Sequence, residues 1–287
     1  MITVLLKGGL GNILFQYAVG RHLAIKNKTT LCLNVIRYIN KHDVFAEKII
    51  RPLRNFGFAK MLYRPPLYKK ILWRYGLYLP QTDKSFFYTK SWGFDPKVLQ
   101  LNDGTYLDGY FQSEKYFKDI ESTIRKELSL KQSSFNQEVV TYQEKIAKSN
   151  SVGIHIRRGD YLSSPLHNIC DLNYYSKAVK YMQERVLSPH FFVFSDDITW
   201  CLKNIKLDNG DFVNVKDSKI HFTNDFWLLS LCKHAIIPNS TFSWWAAWLN
   251  ENSEKIVVVP HRWFNDEVLN AQALQDTVPD NWVCLPW

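Results

Sequence analysis

The sequence predicts an α/β protein with two domains, and three observations support this prediction. The chain has 287 residues, which suits one large domain or two of ordinary size. Its N-terminal residues have the pattern of a strand, a Gly-rich loop and a helix. From residue 151 onward, apolar strands alternate with helical stretches, as is typical of a doubly wound parallel sheet. We place the domain boundary near residue 150, so the predicted domains are 1–150 and 151–287.

The first domain is predicted to begin with the Gly-rich loop Gly8–Asn12 between a strand and a helix. This loop lacks the Lys-Ser/Thr of a Walker A motif and a complete G-x-G-x-x-G fingerprint. Two interpretations stay open. The loop is a tight turn that needs glycine, or its bare backbone at Gly9 and Gly11 lets a ligand approach while Asn12 supplies an amide. The predicted elements are strands at 2–6, 30–35 and 107–113 and helices at 13–26, 114–128 and 134–149.

Residues 48–82 form a basic aromatic segment within this domain. The segment contains no acidic residue, and aromatic side chains interleave with Lys and Arg. Three interpretations stay open: a basic helical excursion packed on its own domain, contact with an anionic membrane surface, or binding of single-stranded nucleic acid. The segment is therefore a candidate surface for an anionic partner.

Composition narrows the class of protein further. Hydrophobic residues are 46% of the chain, and 36 Lys and Arg against 27 Asp and Glu leave a net charge of +9, which favours anionic partners. The five cysteines are widely spaced without a CxxC motif, which disfavours a disulfide framework and a zinc site. No apolar run reaches the roughly 18 residues of a membrane span, and the N-terminus does not resemble a signal peptide. We therefore expect a cytoplasmic protein.

Three polar clusters follow predicted strands of the second domain. Because the carboxyl ends of parallel strands meet at one edge of a sheet, these clusters should converge where ligands of open α/β sheets bind. The clusters are Arg157-Arg158-Gly159-Asp160, Ser195-Asp196-Asp197 and Asn239-Ser240-Thr241-Phe242-Ser243. The predicted strands lie at 151–157, 191–194, 212–215, 235–237 and 256–259, and the predicted helices at 173–187, 198–205, 224–234 and 244–249.

The paired arginines are the most informative of these residues. Arginine keeps its charge at any accessible pH and presents a planar fork of donors that fits phosphate oxygens. Arg157 and Arg158 are therefore candidates for a diphosphate site, or they are solvated and pair with Asp160. The third cluster opens a helix whose free N–H groups favour anions, although Ser240 or Thr241 could simply cap that helix.

The other polar residues have alternative roles as well. Three roles are open for Asp196 and Asp197: they cap a helix, they ligate a metal, or they accept hydrogen bonds from a base or ribose. No His or further carboxylate clusters with them in the sequence, which disfavours the metal. His155 lies in the middle of a predicted strand, where a core histidine is the simplest interpretation. Trp244 and Trp248 share a helix face, which is more typical of core than of sugar stacking.

Four stretches resemble motifs of the α1,2-fucosyltransferase family, in the same order along the chain. The run HIRRGDY at residues 155–161 is similar to the HxRRGDY motif of that family. The other three are GGLGN with FQYA at 8–18, GYFQSE at 109–114, and CKH with NSTFSWWAAWL at 232–249. The sequence departs from the family at Ile13, where Gln is usual, so that amide cannot position a substrate here.

This resemblance implies a fold and a reaction. The fold would be GT-B-like, with two Rossmann-like domains and a cleft between them, an acceptor-side domain at 1–150 and a GDP-fucose-binding domain at 151–287. The enzyme would transfer fucose from GDP-fucose to the 2-hydroxyl of a terminal galactose, with inversion. No cofactor and no obligatory metal would be needed. The competing predictions are a fucosyltransferase of another linkage or acceptor and, from a different class, a non-catalytic nucleic-acid-binding protein.

The resemblance also implies roles for individual residues. Arg157 would bind the diphosphate, and His155 with an aspartate of the second cluster would contact guanosine. The catalytic candidates are Arg157, Asn12 and Asp160, and Asp160 is either a general base or a brace for the arginines. The donor-binding candidates are His155, Arg157, Arg158, Asp196, Asp197, Asn239, Ser240, Thr241, Ser243, Gly9 and Gly11. We expect no nucleic-acid partner, and we expect residues 48–82 to bring the enzyme to lipid-carried acceptors on an anionic membrane.

Overall fold

A sheet of five parallel strands forms the N-terminal unit, in the order β3-β2-β1-β5-β4. Its strands are β1 (Ile2–Leu5), β2 (Leu31–Asn34), β3 (Leu62–Tyr63), β4 (Ser85–Tyr88) and β5 (Thr105–Asp108). The computed structural model describes residues 1–38, 53, 61–63, 85–91, 93–129, 137–215 and 221–287. The predictions made for the basic aromatic segment therefore lie almost entirely outside the described residues.

Helix α1 (Leu10–Lys26) packs on this sheet and is buried along most of its length. Its apolar residues occur around most of the helix rather than along one stripe, as expected of a helix enclosed by its own domain. Leu14 and Phe15 are fully buried, and Phe15 contacts Phe117 at 6.2 Å between ring centroids. Helix α2 (Glu121–Leu128) follows later and buries Ile124 and Leu128. The N-terminal unit thus has a core of its own.

The C-terminal unit has a sheet of six parallel strands in the order β11-β10-β9-β6-β7-β8. Its strands are β6 (Asn150–Ile156), β7 (Pro189–Ser195), β8 (Gly210–Phe212), β9 (His234–Ile236), β10 (Val257–Pro260) and β11 (Val283–Leu285). Its helices are α3 (Gln137–Ala147), α4 (Leu172–Gln183), α5 (Ile198–Asn204), α6 (His221–Leu231), α7 (Thr241–Leu249) and α8 (Glu267–Thr277). Strand β6 is central, pairs with β9 and β7, and is almost wholly buried, as is typical of a parallel sheet whose faces are covered by helices.

The tryptophans of α7 belong to the core of this unit. Trp244, Trp245 and Trp248 are at most 4% exposed. Trp244 and Trp248 stack with their ring centroids 6.2 Å apart, and the Trp244 indole N–H donates to the Thr277 carbonyl at 2.7 Å. Their position in the core agrees with the helical spacing of the sequence and removes the sugar-stacking alternative.

The chain divides into Met1–Lys131 and Gln132–Trp287, so the division lies earlier than the predicted residue 150. Helix α3, which we assigned to the end of the first domain, packs against α6 and β6 of the C-terminal unit. Its apolar residues Val139 and Ile146 are buried there. A polar helix before a strand carries no signal of which domain covers its apolar stripe, and that is why the boundary was misplaced.

Several elements differ from their prediction. Strands β3, β4 and β11 and helix α8 were not predicted, and α1 begins at Leu10 rather than at residue 13. The predicted helix at 114–128 is two short 3₁₀ turns, Glu114–Tyr116 and Lys118–Ile120, followed by α2. In the described part of the chain, no helix is both long enough and apolar enough to cross a membrane.

Candidate functional site

The three strand-end clusters of the C-terminal unit lie on neighbouring strands. β9, β6 and β7 are adjacent in the sheet, and all three run in parallel. Arg157 follows β6, Asp196 follows β7, and Asn239 comes shortly after β9. The clusters are therefore at one edge of one sheet, as their spacing in the sequence predicted.

Arg157 is held between two carboxylates at this edge. One terminal nitrogen, Nη1, lies 2.8 Å from Asp196 Oδ2, and the other, Nη2, donates to Asp160 Oδ1 at 2.6 Å. The guanidinium keeps 35% of its side-chain surface exposed, whereas Asp160 is 70% exposed. Arg157 is also 5.7 Å from the centroid of the Tyr161 ring. The plane of the fork is thus fixed while part of it remains open to a ligand.

Arg158 turns away from this arrangement. Its Nε lies 3.2 Å from Asp197 Oδ2, and its guanidinium carbon stands 3.7 Å from the centroid of the Trp200 ring. Asp197 also caps α5, because its Oδ1 accepts from the Trp200 backbone N–H at 3.1 Å. Arg158 therefore ties the end of β6 to the start of α5, and its predicted contact with phosphate stays a prediction.

Asp196 links the two arginines. Besides its ion pair with Arg157, it accepts a hydrogen bond at 2.9 Å from the Arg158 backbone N–H. Gly159 makes this approach possible, because a Cβ at that position would lie 2.6 Å from Asp196 Oδ2. Asp196 thus accounts for Arg157 and Gly159, whereas the Arg158 side chain pairs with Asp197.

His155 is buried in β6 and lacks a protein partner for one ring nitrogen. The residue is 5% exposed, and among the described residues its Nδ1 has no hydrogen-bond partner. Burial, with the charge of Arg157, lowers the pKa of His155 to about 3, so the ring is neutral at pH 7. Its ring lies 5.2 Å from that of Phe242 at the start of α7. An unpartnered nitrogen in a buried neutral imidazole is available to a ligand.

The Asn/Ser/Thr cluster leads into α7, but its members have different roles. Asn239 is 2% exposed and donates through Nδ2 to the carbonyls of His167 and Trp263, so it anchors the loop. Ser240 occupies the N-cap position without a side-chain capping bond. Ser243 is fully buried and bonds back to the Ser240 carbonyl at 3.2 Å. Thr241, the first residue of α7, is partly exposed.

Sequence reasoning missed two residues, Tyr161 at this edge and Asp225 on α6. The Tyr161 hydroxyl donates to the Asn239 carbonyl at 3.1 Å, and burial raises its pKa to about 12. Asp225 lies on α6 beside Phe226, whose ring contacts that of Phe242 at 5.4 Å. Burial raises the pKa of the Asp225 carboxyl to about 7. A carboxylate after a polar Thr-Asn pair at the start of a helix was the signal that could have identified Asp225.

The Gly-rich loop of the N-terminal unit precedes α1. Gly8 has a φ of +83°, and a Cβ there would lie 2.4 Å from the Asn12 amide nitrogen. Gly9 caps α1 with its Cβ direction free of any atom within 4 Å, whereas Gly11 is buried in the helix. Asn12 accepts a hydrogen bond from Gln112 Nε2 at 2.8 Å. The positive φ of Gly8 fits the tight-turn interpretation. That a ligand approaches the backbone at Gly9 and Gly11 stays a prediction, and the burial of Gly11 leaves Gly9 as the open position.

The structure therefore brings together the candidates of the C-terminal unit and describes those of the N-terminal unit separately. The former are His155, Arg157, Arg158, Asp160, Asp196, Asp197, Asn239, Ser240, Thr241 and Ser243, and the latter are Gly9, Gly11 and Asn12. Within the described ranges, no group of three or more His, Cys, Asp and Glu side chains is placed to hold a metal ion. Metal independence stays a prediction.

Comparison with known proteins identifies the family of this chain. The model of glycosyl transferase family 11 matches residues 1–286. The chain belongs to glycosyl transferase family 11. This match confirms the resemblance inferred from the four motifs. The protein is therefore a glycosyltransferase.

Two relatives of this family 11 protein match almost its whole length. An α-1,2-colitosyltransferase from Escherichia coli is 32% identical, over 99% of this chain and 98% of the relative. A galactoside 2-α-L-fucosyltransferase from Caenorhabditis elegans is 27% identical, over 98% of this chain and 78% of the relative. Both names describe transfer of a sugar through a 1,2 linkage.

A solved structure confirms the fold class. NodZ from Bradyrhizobium, an α-1,6-fucosyltransferase soaked with GDP-fucose, superposes with a TM-score of 0.55 at 14% identity. The match covers 86% of this chain and 92% of the NodZ chain. The family 11 protein is thus an α/β protein of the GT-B-like class, with two parallel-sheet units.

Proposed function

We propose that the protein transfers L-fucose from GDP-fucose to the 2-hydroxyl of a terminal galactose, with inversion at the fucose anomeric carbon. The observation that carries this proposal is Arg157, a forked cation fixed by two carboxylates at the carboxyl end of β6 and 35% exposed. The 1,2 linkages in the names of the two relatives and the α1,2-fucosyltransferase motifs support it.

The reaction requires stabilisation of a leaving diphosphate. The bond from the anomeric carbon to the β-phosphate oxygen breaks, and GDP leaves. A bond to the acceptor oxygen forms, and the proton of the acceptor hydroxyl passes to a base, for which Asp160 is the candidate. Negative charge grows on the β-phosphate. A cation that is already in position stabilises that charge without reorganising during the reaction. Arg157 meets this requirement, and its exposed partner Asp160 is the carboxylate that the diphosphate displaces.

The other residues of the edge bind and orient the donor. His155, neutral and with a free Nδ1, hydrogen-bonds the nucleoside. The backbone N–H groups at the start of α7 face the diphosphate, since the Ser240 side chain does not cap them. Arg158 and Asp197 hold β6 against α5 and so fix the position of Arg157. Asp160 remains a candidate base as well as a brace for Arg157.

A second candidate donor is a colitosyl nucleotide. The relative that is 32% identical over 99% of this chain is named for transfer of colitose, which is fucose without its 3-hydroxyl. A site that hydrogen-bonds the 3-hydroxyl rejects the deoxy sugar, because its polar group would be left unpaired. The ratio of kcat/KM for GDP-fucose and GDP-colitose therefore decides between the two donors.

The reaction is tested by incubating the protein with GDP-fucose and lactose, with and without EDTA. We expect release of GDP together with a trisaccharide whose NMR spectrum places α-L-fucose on the galactose 2-position, undiminished by EDTA. Transfer to another hydroxyl would establish a different linkage. Absence of transfer under all conditions, with salt-sensitive binding of RNA or DNA, would refute the proposal and favour the binding protein.

We further propose that the enzyme acts in the cytoplasm on acceptors carried by membrane lipid. The basic aromatic composition of residues 48–82 and the net charge of +9 support this. Sedimentation with vesicles of anionic and of neutral lipid measures it. We expect binding to the anionic vesicles that is lost at high salt, and failure to bind them at low salt would contradict it.

A further inference from the structure

We infer that the N-terminal unit carries a binding subsite for a neutral pyranose, formed by Tyr88, Phe86, Asp108 and Lys7 at the carboxyl ends of β4 and β5. This inference rests on the proposed function, because it assigns the subsite to the terminal galactose of the acceptor. None of these four residues was a candidate in the sequence, and none belongs to the donor-binding edge of the C-terminal unit.

The pairing of β4 with β5 places the aromatic and acidic side chains together. In the parallel ladder Phe86 pairs with Tyr106 and Tyr88 pairs with Asp108. Residues paired in this way project on the same face of a sheet, and residues two apart on one strand share that face. Tyr88 and Asp108 are therefore neighbours on one face, at the point where both strands end.

The two rings of β4 lie beside each other on that face with nearly parallel planes. The centroids of Phe86 and Tyr88 are 6.5 Å apart, and the ring planes differ by 9°. Phe86 is 55% exposed and Tyr88 is 49% exposed, although Phe86 also stacks on the buried Tyr106 at 5.7 Å. β4 is the edge strand of its sheet. An exposed aromatic ring such as that of Tyr88 fits the apolar C–H face of a pyranose.

An ion pair supplies polar groups beside these rings. Lys7 Nζ lies 2.6 Å from Asp108 Oδ1, and the two side chains are 10% and 14% exposed. The Lys7 ammonium is 4.6 Å from the centroid of the Tyr110 ring and 5.9 Å from that of Tyr88. Within the part of the chain that the structure describes, Lys7 is the side chain that Asp108 bonds, and it does so through Oδ1. Asp108 Oδ2 is thus left for another donor.

The position of this ion pair is fixed by a buried glutamine. Gln16 is fully buried in α1, its Oε1 accepts from the Lys7 backbone N–H at 2.9 Å, and its Nε2 donates to the Gly109 carbonyl at 3.1 Å. Gln16 therefore joins the chain after β1 to the chain after β5. A binding site needs this kind of support, since side chains that are already ordered lose little entropy when a ligand binds.

Charge decides which sugar the subsite accepts. A lone carboxylate would favour a cation and a lone ammonium an anion, but the paired Lys7 and Asp108 have no net charge. The pair still offers a carboxylate oxygen and ammonium N–H groups to hydroxyls. Pockets for small ligands combine apolar and aromatic walls with a few such polar groups. A neutral hexose such as the terminal galactose matches this combination better than a uronic or sialic acid does.

Exposed Tyr88 is the residue with which to test the subsite. We expect Tyr88→Ala to raise the KM for lactose by about 2- to 10-fold, the range of one aromatic contact, with an unchanged KM for GDP-fucose. Tyr88→Phe keeps the ring and should raise that KM less than Tyr88→Ala does. Asp108→Asn should raise the KM for lactose by about 10- to 100-fold, because a hydrogen bond to a charged group is lost.

A matched control separates this role from a structural one. Glu127→Gln breaks the ion pair of Glu127 with Arg21, which is partly buried in the same unit but lies on helices α1 and α2 rather than at the strand ends. We expect it to lower the unfolding temperature without changing the KM for lactose. If Asp108→Asn and Glu127→Gln raise that KM equally, the Lys7–Asp108 pair is structural and the inference is overturned.

Direct binding distinguishes failure of the inference from failure of the proposed function. Saturation-transfer NMR with methyl β-D-galactoside, without any donor, should show binding to the wild type that is lost in Tyr88→Ala. Binding that depends on Tyr88 in a protein that transfers no fucose would support the subsite and refute the proposed transfer. Normal transfer with an unchanged lactose KM in Tyr88→Ala would overturn the subsite alone. A change of oligomeric state without a change in KM would instead identify the β4 face as an interface between copies.

Discussion

The polar edges of the two sheets organise charge in different ways. In the C-terminal unit, Arg157 has two carboxylate partners and 35% of its side chain exposed. In the described part of the N-terminal unit, Lys7 has one carboxylate partner, and both side chains are at most 14% exposed. A partly exposed guanidinium can exchange a carboxylate for a phosphate at little cost in solvation. A buried pair cannot, because separating its charges leaves one of them uncompensated.

This difference shows that two parallel sheets with polar strand ends can be suited to different kinds of ligand. The C-terminal edge is suited to an anion that enters the charge network, and the N-terminal edge to a neutral ligand that leaves the ion pair intact. The proposed donor and acceptor differ in the same way, since GDP-fucose carries a diphosphate and a terminal galactose carries no charge.

The largest effect is expected at Arg157. Arg157→Ala should lower turnover at least ~100-fold, because one preorganised donor to the leaving group is typically worth ~10²–10³. Arg157→Lys should rescue poorly, since an ammonium does not reproduce the planar fork. The measurement is kcat with GDP-fucose and lactose, and Arg185→Ala is the control, because Arg185 is an exposed arginine that pairs with Glu184. Near-normal turnover in Arg157→Ala would remove the contrast between the two edges.

Removing Lys7 should destabilise the N-terminal unit. Lys7→Met leaves Asp108 without its counter-ion in a site that is 14% exposed, and we expect the free energy of unfolding to fall by about 2–4 kcal/mol. The double variant Lys7→Met/Asp108→Leu should recover part of this loss, because neither charge is then left unpaired. Urea denaturation measures both. Equal losses in the single and double variants would show that the ion pair is not what Lys7 contributes.

Asp196 controls the orientation of Arg157. Asp196→Asn keeps an acceptor for the Arg158 backbone N–H but removes the charge that holds Arg157, and we expect kcat to fall about 10-fold. The KM for lactose should not change. Asp208→Asn, at an exposed aspartate that accepts from Gln183, is the control. An effect confined to the KM for lactose would contradict the assignment of this edge to the donor.

The two glycines before α1 should respond differently to alanine. Gly8→Ala meets a positive φ and the Asn12 side chain, so we expect a loss of about 1–2 kcal/mol in unfolding free energy. Gly9→Ala meets open space and should leave stability unchanged. If a substrate approaches the backbone at Gly9, Gly9→Ala should nevertheless raise a KM. Unchanged kinetics in Gly9→Ala would leave only the tight turn as the role of this loop.

The effect that is smallest at neutral pH concerns the titration of His155. Its pKa of about 3 lies below the ordinary value of about 6.5, so between these values the unfolded chain binds a proton that the folded chain does not. Stability is therefore fully present above pH 6.5 and falls with pH, by at most about 1.4 kcal/mol per unit for this group. His155→Asn should reduce that slope between pH 6 and 4, measured by urea denaturation. An unchanged slope would mean that His155 does not stay neutral.

The sequence predicted the C-terminal site better than the rest of the molecule. Its three clusters directly follow apolar runs, and the parallel-sheet rule then places them at one edge without any knowledge of packing. The partners within the site were harder to predict. Trp200 lies under the Arg158 guanidinium because α5 starts there, and nothing in the local sequence at residue 158 indicates that contact.

The N-terminal polar edge was not predicted at all. Lys7 and Asp108 are 101 residues apart, and their pairing depends on β1 and β5 being neighbours in the sheet. β4 was also missed, since four residues with a polar start carry too little pattern to be recognised as a strand. Long-range pairing of short strands is a tertiary property, and that is why the sugar subsite follows from the structure rather than from the motifs.

Asp197 has two tasks, and this constrains how the sequence can evolve. One oxygen caps α5 through the Trp200 backbone N–H, and the other pairs with Arg158. Replacing Asp197 by Ser or Thr would keep the helix cap but lose the ion pair with Arg158. Replacing it by Ala would lose both interactions. When Arg158 is replaced, Asp197 is needed only as a helix cap, so we expect Ser, Thr or Asn to be accepted at position 197. A library randomised at both positions would show this coupling.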